Sequence, residues 1–168
     1  CLSEVKTVDK LKQKYGLVDL LIVRHIIEHA ISAKSLLENM SKLLTPSGYM
    51  MLEMPDSAHI FHANNHAFIW EEHISYFDED SVYKLANYAG AEVVWIGRYS
   101  YPYEDSLNFV LKFNQPAPTV VPIVEKEIQN TSEQLESFSN GLIKQTYRWK
   151  ETLKSYQKQG KKVAIFGA

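Results

Sequence analysis

The sequence predicts an α/β fold: a doubly wound sheet with one antiparallel edge, then a long helical segment and the first strand of a second α/β domain. Two runs, "VDLLIV" (18–23) and "YMMLEM" (49–54), are apolar without alternation, as strands buried on both faces of a parallel sheet are. Between them lies a stretch of helical periodicity. Two further strand-like runs, 91–99 and 106–113, are joined by the short turn-like "SYPYED" and suit an antiparallel pair.

Each element has its own signal. Residues 3–14 place Val5, Val8 and Leu11 at helical spacing and stop at Tyr15-Gly16. From Ser32 to Leu44 the apolar positions Ala33, Leu36, Leu37, Met40, Leu43 and Leu44 follow the helical rule, and Thr45-Pro46-Ser47-Gly48 breaks it. Residues 55–78 carry Pro55, histidines and two aromatic clusters without periodicity, which reads as a functional loop. "DEDSVYKLANYAG" (78–90) is a helix with an acidic first turn and a glycine stop. Residues 122–159 read as one long helix or a broken pair, with Gly141 the candidate break.

The bulk numbers bound the function. The chain has 168 residues, 45% hydrophobic and 23% charged, the profile of an ordinary globular domain. Its 18 basic and 20 acidic residues are interspersed, so no basic block tracks a phosphate backbone, and nucleic acid is not an expected partner. No apolar run reaches the ~20 residues of a membrane helix, and no membrane partner is expected. The single cysteine, Cys1, fits a reducing compartment, and a cytoplasmic location is expected. The absence of an initial Met and the closing "KKVAIFGA", a strand opening onto Gly-Ala, lead us to expect that both ends continue.

"IVRHIIEHAIS" (22–32) contains His25, Glu28 and His29 in the pattern H-x-x-E-H, which can hold zinc when it lies on a helix. Here it directly follows a strand, and helical periodicity begins only after Ser32. The end of a parallel strand is where α/β folds keep their ligands, so a ligand site is favoured over zinc, and the longer pattern around the motif favours it over simple packing. His59, His62 and His66 in "HIFHANNHAF" invite a second metal reading, but a polar substrate-facing loop is preferred. No metal ligands are therefore expected in this chain.

"DLLIVRHIIEHAISAKSLLENMSKLLTPSGYMMLEMPD" resembles the later half of a class I S-adenosylmethionine-dependent methyltransferase, with an "EH" after the fourth strand and "LL-x-P-x-G" before the fifth. "FIWEEHISYFDEDSVYKLANYAGAEVV" resembles the "E-H-x-x-Y-F" segment of the methyltransferases that methylate sugar carbon in nucleotide-deoxysugar pathways. The resemblance implies a Rossmann-like sheet, present in part, with residues 1–116 the C-terminal part of the methyltransferase domain. Residues 117–160 would be a helical linker, and 161–168 the start of a C-terminal α/β domain. It implies S-adenosylmethionine as cofactor, and zinc only in an N-terminal module outside this chain. The family's glycine-rich turn is not in these residues, so the chain alone is not expected to be active.

Methylating carbon requires a carbanion, which a keto nucleotide sugar supplies by losing the proton next to its ketone. The resemblance assigns the base to His73, with Glu72 beside it to raise its basicity or to contact sugar hydroxyls, and matches His29 to the family's "EH" histidine. Arg24 and His25 are placed against the cofactor, and His25 and His29 near the transferred methyl or the developing oxyanion. Trp70, Glu71 and Tyr76 are expected to touch the acceptor, a nucleotide sugar or other small molecule. The family usually has "Y-x-E-H" where this chain has Trp70-Glu71-Glu72-His73, and indole does no acid–base work. An O- or N-methyltransferase of the same fold and a non-catalytic binding domain remain alternatives, and the protein would be a monomer or dimer.

Overall fold

The computed structural model describes residues 5–101, 105–113 and 125–164. They divide into two compact units, one of residues 1–60 with 67–122 and one of 61–66 with 123–168.

In the first unit, helix α1 (Val5–Tyr15) leads into strand β1 (Val18–Arg24) through Gly16, whose φ of 77° is the left-handed conformation that closes a helix. A 3-10 turn (Ile27–His29) and helix α2 (Ala33–Ser41) follow, the helix capped by Ser32, whose Oγ accepts from Ser35 N at 3.2 Å. Strand β2 (Leu44–Pro55) lies parallel to β1. The short helix α3 (Ser57–His62) comes next, then α4 (Glu79–Tyr88), which opens with a reciprocal capping box between Asp78 and Ser81. Strands β3 (Ala91–Ser100) and β4 (Asp105–Phe113) pair antiparallel, giving the order β1-β2-β4-β3, with β2 also antiparallel to β4.

The core lies between one face of this sheet and the helices. Met50, Leu52 and Met54 of β2 and Leu107, Phe109 and Leu111 of β4, all fully buried, meet Leu36, Leu37 and Met40 of α2 and Val82 and Ala86 of α4. The sequence leads one to expect strands buried on both faces. For β1 this is not so: Leu20 and Ile22 are each 54% exposed. The reason is period-2 alternation on a sheet whose packed helices α2 and α4 line one face among the described residues. Double winding is thus half realised in this unit.

The predicted helix break at Thr45-Gly48 is part of β2 itself. Val18 pairs with Leu44 while Leu20 pairs with Tyr49, so the intervening residues bulge from the ladder. A Cβ at Gly48 would stand 3.0 Å from the Val18 carbonyl oxygen, which is why glycine occupies the bulge. The expected helix accordingly ends at Ser41 rather than Leu44.

In the second unit, helix α5 (Glu125–Lys158) runs unbroken through Gly141. A Cβ at Gly141 would come within 2.5 Å of Asn64 Oδ1, so this glycine makes room for the 61–66 segment rather than a kink. The Phe61 ring meets Phe138 edge-on at 5.1 Å, and His66 Nε2 donates to the Phe138 carbonyl at 2.7 Å. Of the strand expected over 161–168, residues 161–164 carry no regular structure and 165–168 lie outside the described residues. Residues 102–104 of the β3–β4 connection also lie outside them.

Truncating Phe109 to alanine is expected to cost about 3–5 kcal/mol, because it empties a fully enclosed site. Ile22→Ala, on the uncovered face, should stay within roughly 0.5 kcal/mol. Urea denaturation of both variants checks the asymmetry, and equal losses would mean that both faces are packed.

Candidate functional site

The site forms where the chain leaves β1, beside the carboxyl end of its parallel neighbour β2. His25 takes a φ of 48°, a conformation rare for a residue with a side chain, while its N–H donates to the Glu53 carbonyl at 2.9 Å. The turn this creates brings the His25 ring between two carboxylates: Nδ1 is 3.4 Å from Glu28 Oε1 and Nε2 is 3.5 Å from Glu53 Oε1. It also starts the 3-10 turn that carries Glu28 and His29.

A second segment folds onto that turn. His73 N donates to the Trp70 carbonyl at 3.1 Å, and the Tyr76 hydroxyl accepts from Trp70 N at 3.0 Å, so residues 70–76 form a closed turn. The Ile74 and Ser75 amides both donate to the Glu28 carbonyl, at 2.8 and 3.1 Å. His29 Nδ1 lies 2.9 Å from the Glu72 carbonyl, which only accepts, so Nδ1 carries the proton and Nε2 of the neutral ring carries the lone pair. The His29 and His73 rings stand edge to face with centroids 4.8 Å apart.

Charge is concentrated beside this pair. Arg24 binds Glu53 through Nε at 2.5 Å and Nη2 at 3.0 Å, a bidentate fork. That hydrogen bond and charge hold the Glu53 carboxyl below its ordinary pKa, against the desolvation that would raise it. The same contact raises the Arg24 guanidinium. Glu28 is only 2% exposed, and neither carboxylate oxygen has a hydrogen-bond partner.

Of the residues singled out from sequence, the structure brings His29 and His73 together. The contact of Glu72 with this pair is its main-chain carbonyl, and its carboxylate makes no hydrogen bond to His73 among the described residues. Trp70 is 53% exposed with its ring 6.4 Å from His73, and Glu71 is exposed on the same turn. The Tyr76 hydroxyl is engaged with the Trp70 backbone, and its ring lies 5.9 Å from His73. Arg24, assigned to the cofactor, has its guanidinium occupied by Glu53, and His25 faces acidic groups.

Of the histidines of 59–66, His59 pairs with Asp105 at 3.0 Å and His66 donates to the Phe138 carbonyl of α5. Sequence reading weighed Glu28 only within the H-x-x-E-H pattern and set that pattern aside, and it missed the buried carboxylates Glu53 and Asp56. Glu53 had a signal, as the one charge inside an apolar strand. Asp56 is buried by Arg98, whose Nε reaches Oδ2 at 2.7 Å from a distant strand, which no local pattern shows.

A family model described as a methyltransferase domain matches residues 4–95, more than half of the 168, and the chain belongs to that family. Among solved structures, an S-adenosylmethionine-dependent methyltransferase from Anabaena variabilis is similar at 14% identity and a TM-score of 0.49, over 68% of this chain and 56% of that one. The magnesium protoporphyrin IX methyltransferase of Synechocystis PCC 6803, solved with bound SAH, matches at 15% identity and 0.45, over 60% and 47%. A pericyclic reaction enzyme matches at 14% and 0.46, over 58% and 27%. The chain thus spans from about a quarter to just over half of these proteins. The curated proteins contain no match. No helix among the described residues is long and apolar enough to cross a membrane.

Because Glu53 titrates below its ordinary value in the fold, its contribution to stability is complete above the unfolded pKa near 4.5 and is lost as pH falls through the lower folded value. Arg24→Gln should therefore lower stability at neutral pH and flatten the acid limb. Denaturation midpoints measured across that range check this, and an acid limb as steep as the parent's would assign the pH dependence to other carboxylates.

Proposed function

We propose that this chain is the acceptor-binding part of an S-adenosylmethionine-dependent methyltransferase, and that it methylates the carbon next to the ketone of a nucleotide-linked sugar. The observation that supports it best is the convergence of His29 and His73, 44 residues apart in sequence, at the carboxyl end of β1. Methyltransferase family membership supplies the reaction class. The sugar assignment rests on the segment from Glu72 to Phe77, with its E-H-x-x-Y-F pattern.

The cofactor supplies an electrophilic methyl on sulfonium. Among the described residues, no glycine-rich turn is present to cradle it. The residues of this chain able to face it are Arg24 and His25 at the strand end, with the Arg24 guanidinium already held by Glu53. What the chain itself performs is proton movement and orientation. His73 takes the proton from the acidic carbon, leaving the electron pair for the new carbon–carbon bond. His29 in its neutral form offers a second acceptor at Nε2, and only as imidazolium would it donate to a developing oxyanion. Trp70, Glu71 and Tyr76 line the acceptor side, Tyr76 through its ring because its hydroxyl is committed to Trp70.

One observation favours O-methylation as the second reading. The site pairs two imidazoles able to accept a proton, while the Arg24 guanidinium is held by Glu53 and the Tyr76 hydroxyl by the Trp70 backbone, a set that equally suits deprotonating a hydroxyl.

The test is solvent deuterium exchange at the acidic carbon of a keto nucleotide sugar, in the full-length protein with S-adenosylhomocysteine bound. His73→Asn should slow exchange by about 10²–10⁴-fold, the usual worth of a positioned base. Exchange at the parent rate would remove His73 from that role, and a product methyl on oxygen would select the second reading.

A further inference from the structure

We propose that Glu28, His29 and His73 form a binding site for a single divalent transition-metal ion such as Zn²⁺. One ligand atom from each of these residues lies within 4.8 Å of the others. One carboxylate and two imidazoles is a donor set that borderline-soft cations favour, and three protein ligands leave a position open for water or a substrate oxygen.

Three further features make the cluster a built site. The Glu28 side chain is 3% exposed, and both its oxygens are buried with no hydrogen-bond donor. A buried carboxylate without donors is costly, and a cation removes that cost. His25, whose Nδ1 lies 3.4 Å from Glu28 Oε1, is an ion-pair partner only when protonated, and its Nε2 faces Glu53 instead. His29 has Nδ1 tied to the Glu72 carbonyl, the outer contact that fixes the tautomer of a metal-binding imidazole and leaves the lone pair for an ion on Nε2. The Glu28 carbonyl, holding the amides of Ile74 and Ser75, fixes the backbone of one ligand against that of another.

Ligands of a tetrahedral zinc at ~2.0–2.1 Å sit roughly 3.4 Å apart, so a cluster whose ligand atoms lie within 4.8 Å has to close by up to about 1.4 Å. His73 is half-buried on its turn, and rotation of its side chain is the closing movement the site requires. The H-x-x-E-H pattern thus supplies two ligands, while the third comes from 44 residues further on instead of from His25. The inference does not require methyl transfer. Where both hold, the ion and the proton compete for the same lone pair of His73, and metal occupancy would silence the base.

The experiment is calorimetric titration of Zn²⁺ into the chelator-treated chain, without cofactor or acceptor, so that its result is independent of the proposed reaction. One equivalent should bind, weakened at least tenfold in Glu28→Gln and in His73→Asn, with His25→Asn within about threefold of the parent. Circular dichroism confirms that each variant is folded. Co²⁺ on the unaltered chain gives a second readout, a visible ligand-field band that Zn²⁺ abolishes. Absence of both signals, or affinity that follows His25 and ignores Glu28 and His73, would overturn the site.

Discussion

The arrangement of the site depends on one backbone acceptor. The Glu28 carbonyl receives two amides, Ile74 and Ser75, and thereby fastens the turn after β1 to a segment more than forty residues downstream. A carbonyl has two lone pairs, and using both on consecutive amides fixes position and angle together. The His29 bond to the Glu72 carbonyl acts as the second point of attachment. With two points held, the facing imidazoles follow from geometry.

Around that anchor the molecule places carboxylates where a sheet ordinarily places apolar side chains. Glu53 alternates with the core residues Leu52 and Met54, and it is tolerated because Arg24 answers it with a fork. Asp56 is answered by Arg98 and by the Ala58 amide at 3.0 Å. Each of these charges has a partner from a different element, so the end of the sheet is braced by polar contacts as much as by packing. Glu28 stands apart because its oxygens have no such donor.

The sequence reveals the parts of this fold that are written in local periodicity. The two parallel strands, α2, α4 and the antiparallel pair β3 and β4 follow from spacing and from their caps, with bounds shifted by a few residues. The exposed face of β1 was not legible, since an apolar run says that side chains could be buried and not what covers them. The Thr45–Gly48 bulge was hidden because Pro and Gly mark a break without saying whether the chain leaves the sheet or only steps out of register. At the site, His29 and His73 could be named but their contact could not, because it depends on backbone bonds across the fold. Glu72 illustrates the limit well: the position was found, yet its main-chain carbonyl makes the contact, which side-chain identity cannot report.

The unanswered carboxylate of Glu28 sets the local fold and the local chemistry against one another. A side chain of similar volume without charge would rest more comfortably among Ile27 and the surrounding core, and folding would gain from it. What that exchange would remove, among the described residues, is a buried carboxylate without a hydrogen-bond donor beside the two imidazoles, and with it a ligand oxygen for a cation at that spot. Stability and reactivity are thus adjusted in opposite directions by a single residue, and the remainder of the core supplies the margin that lets the charge stay.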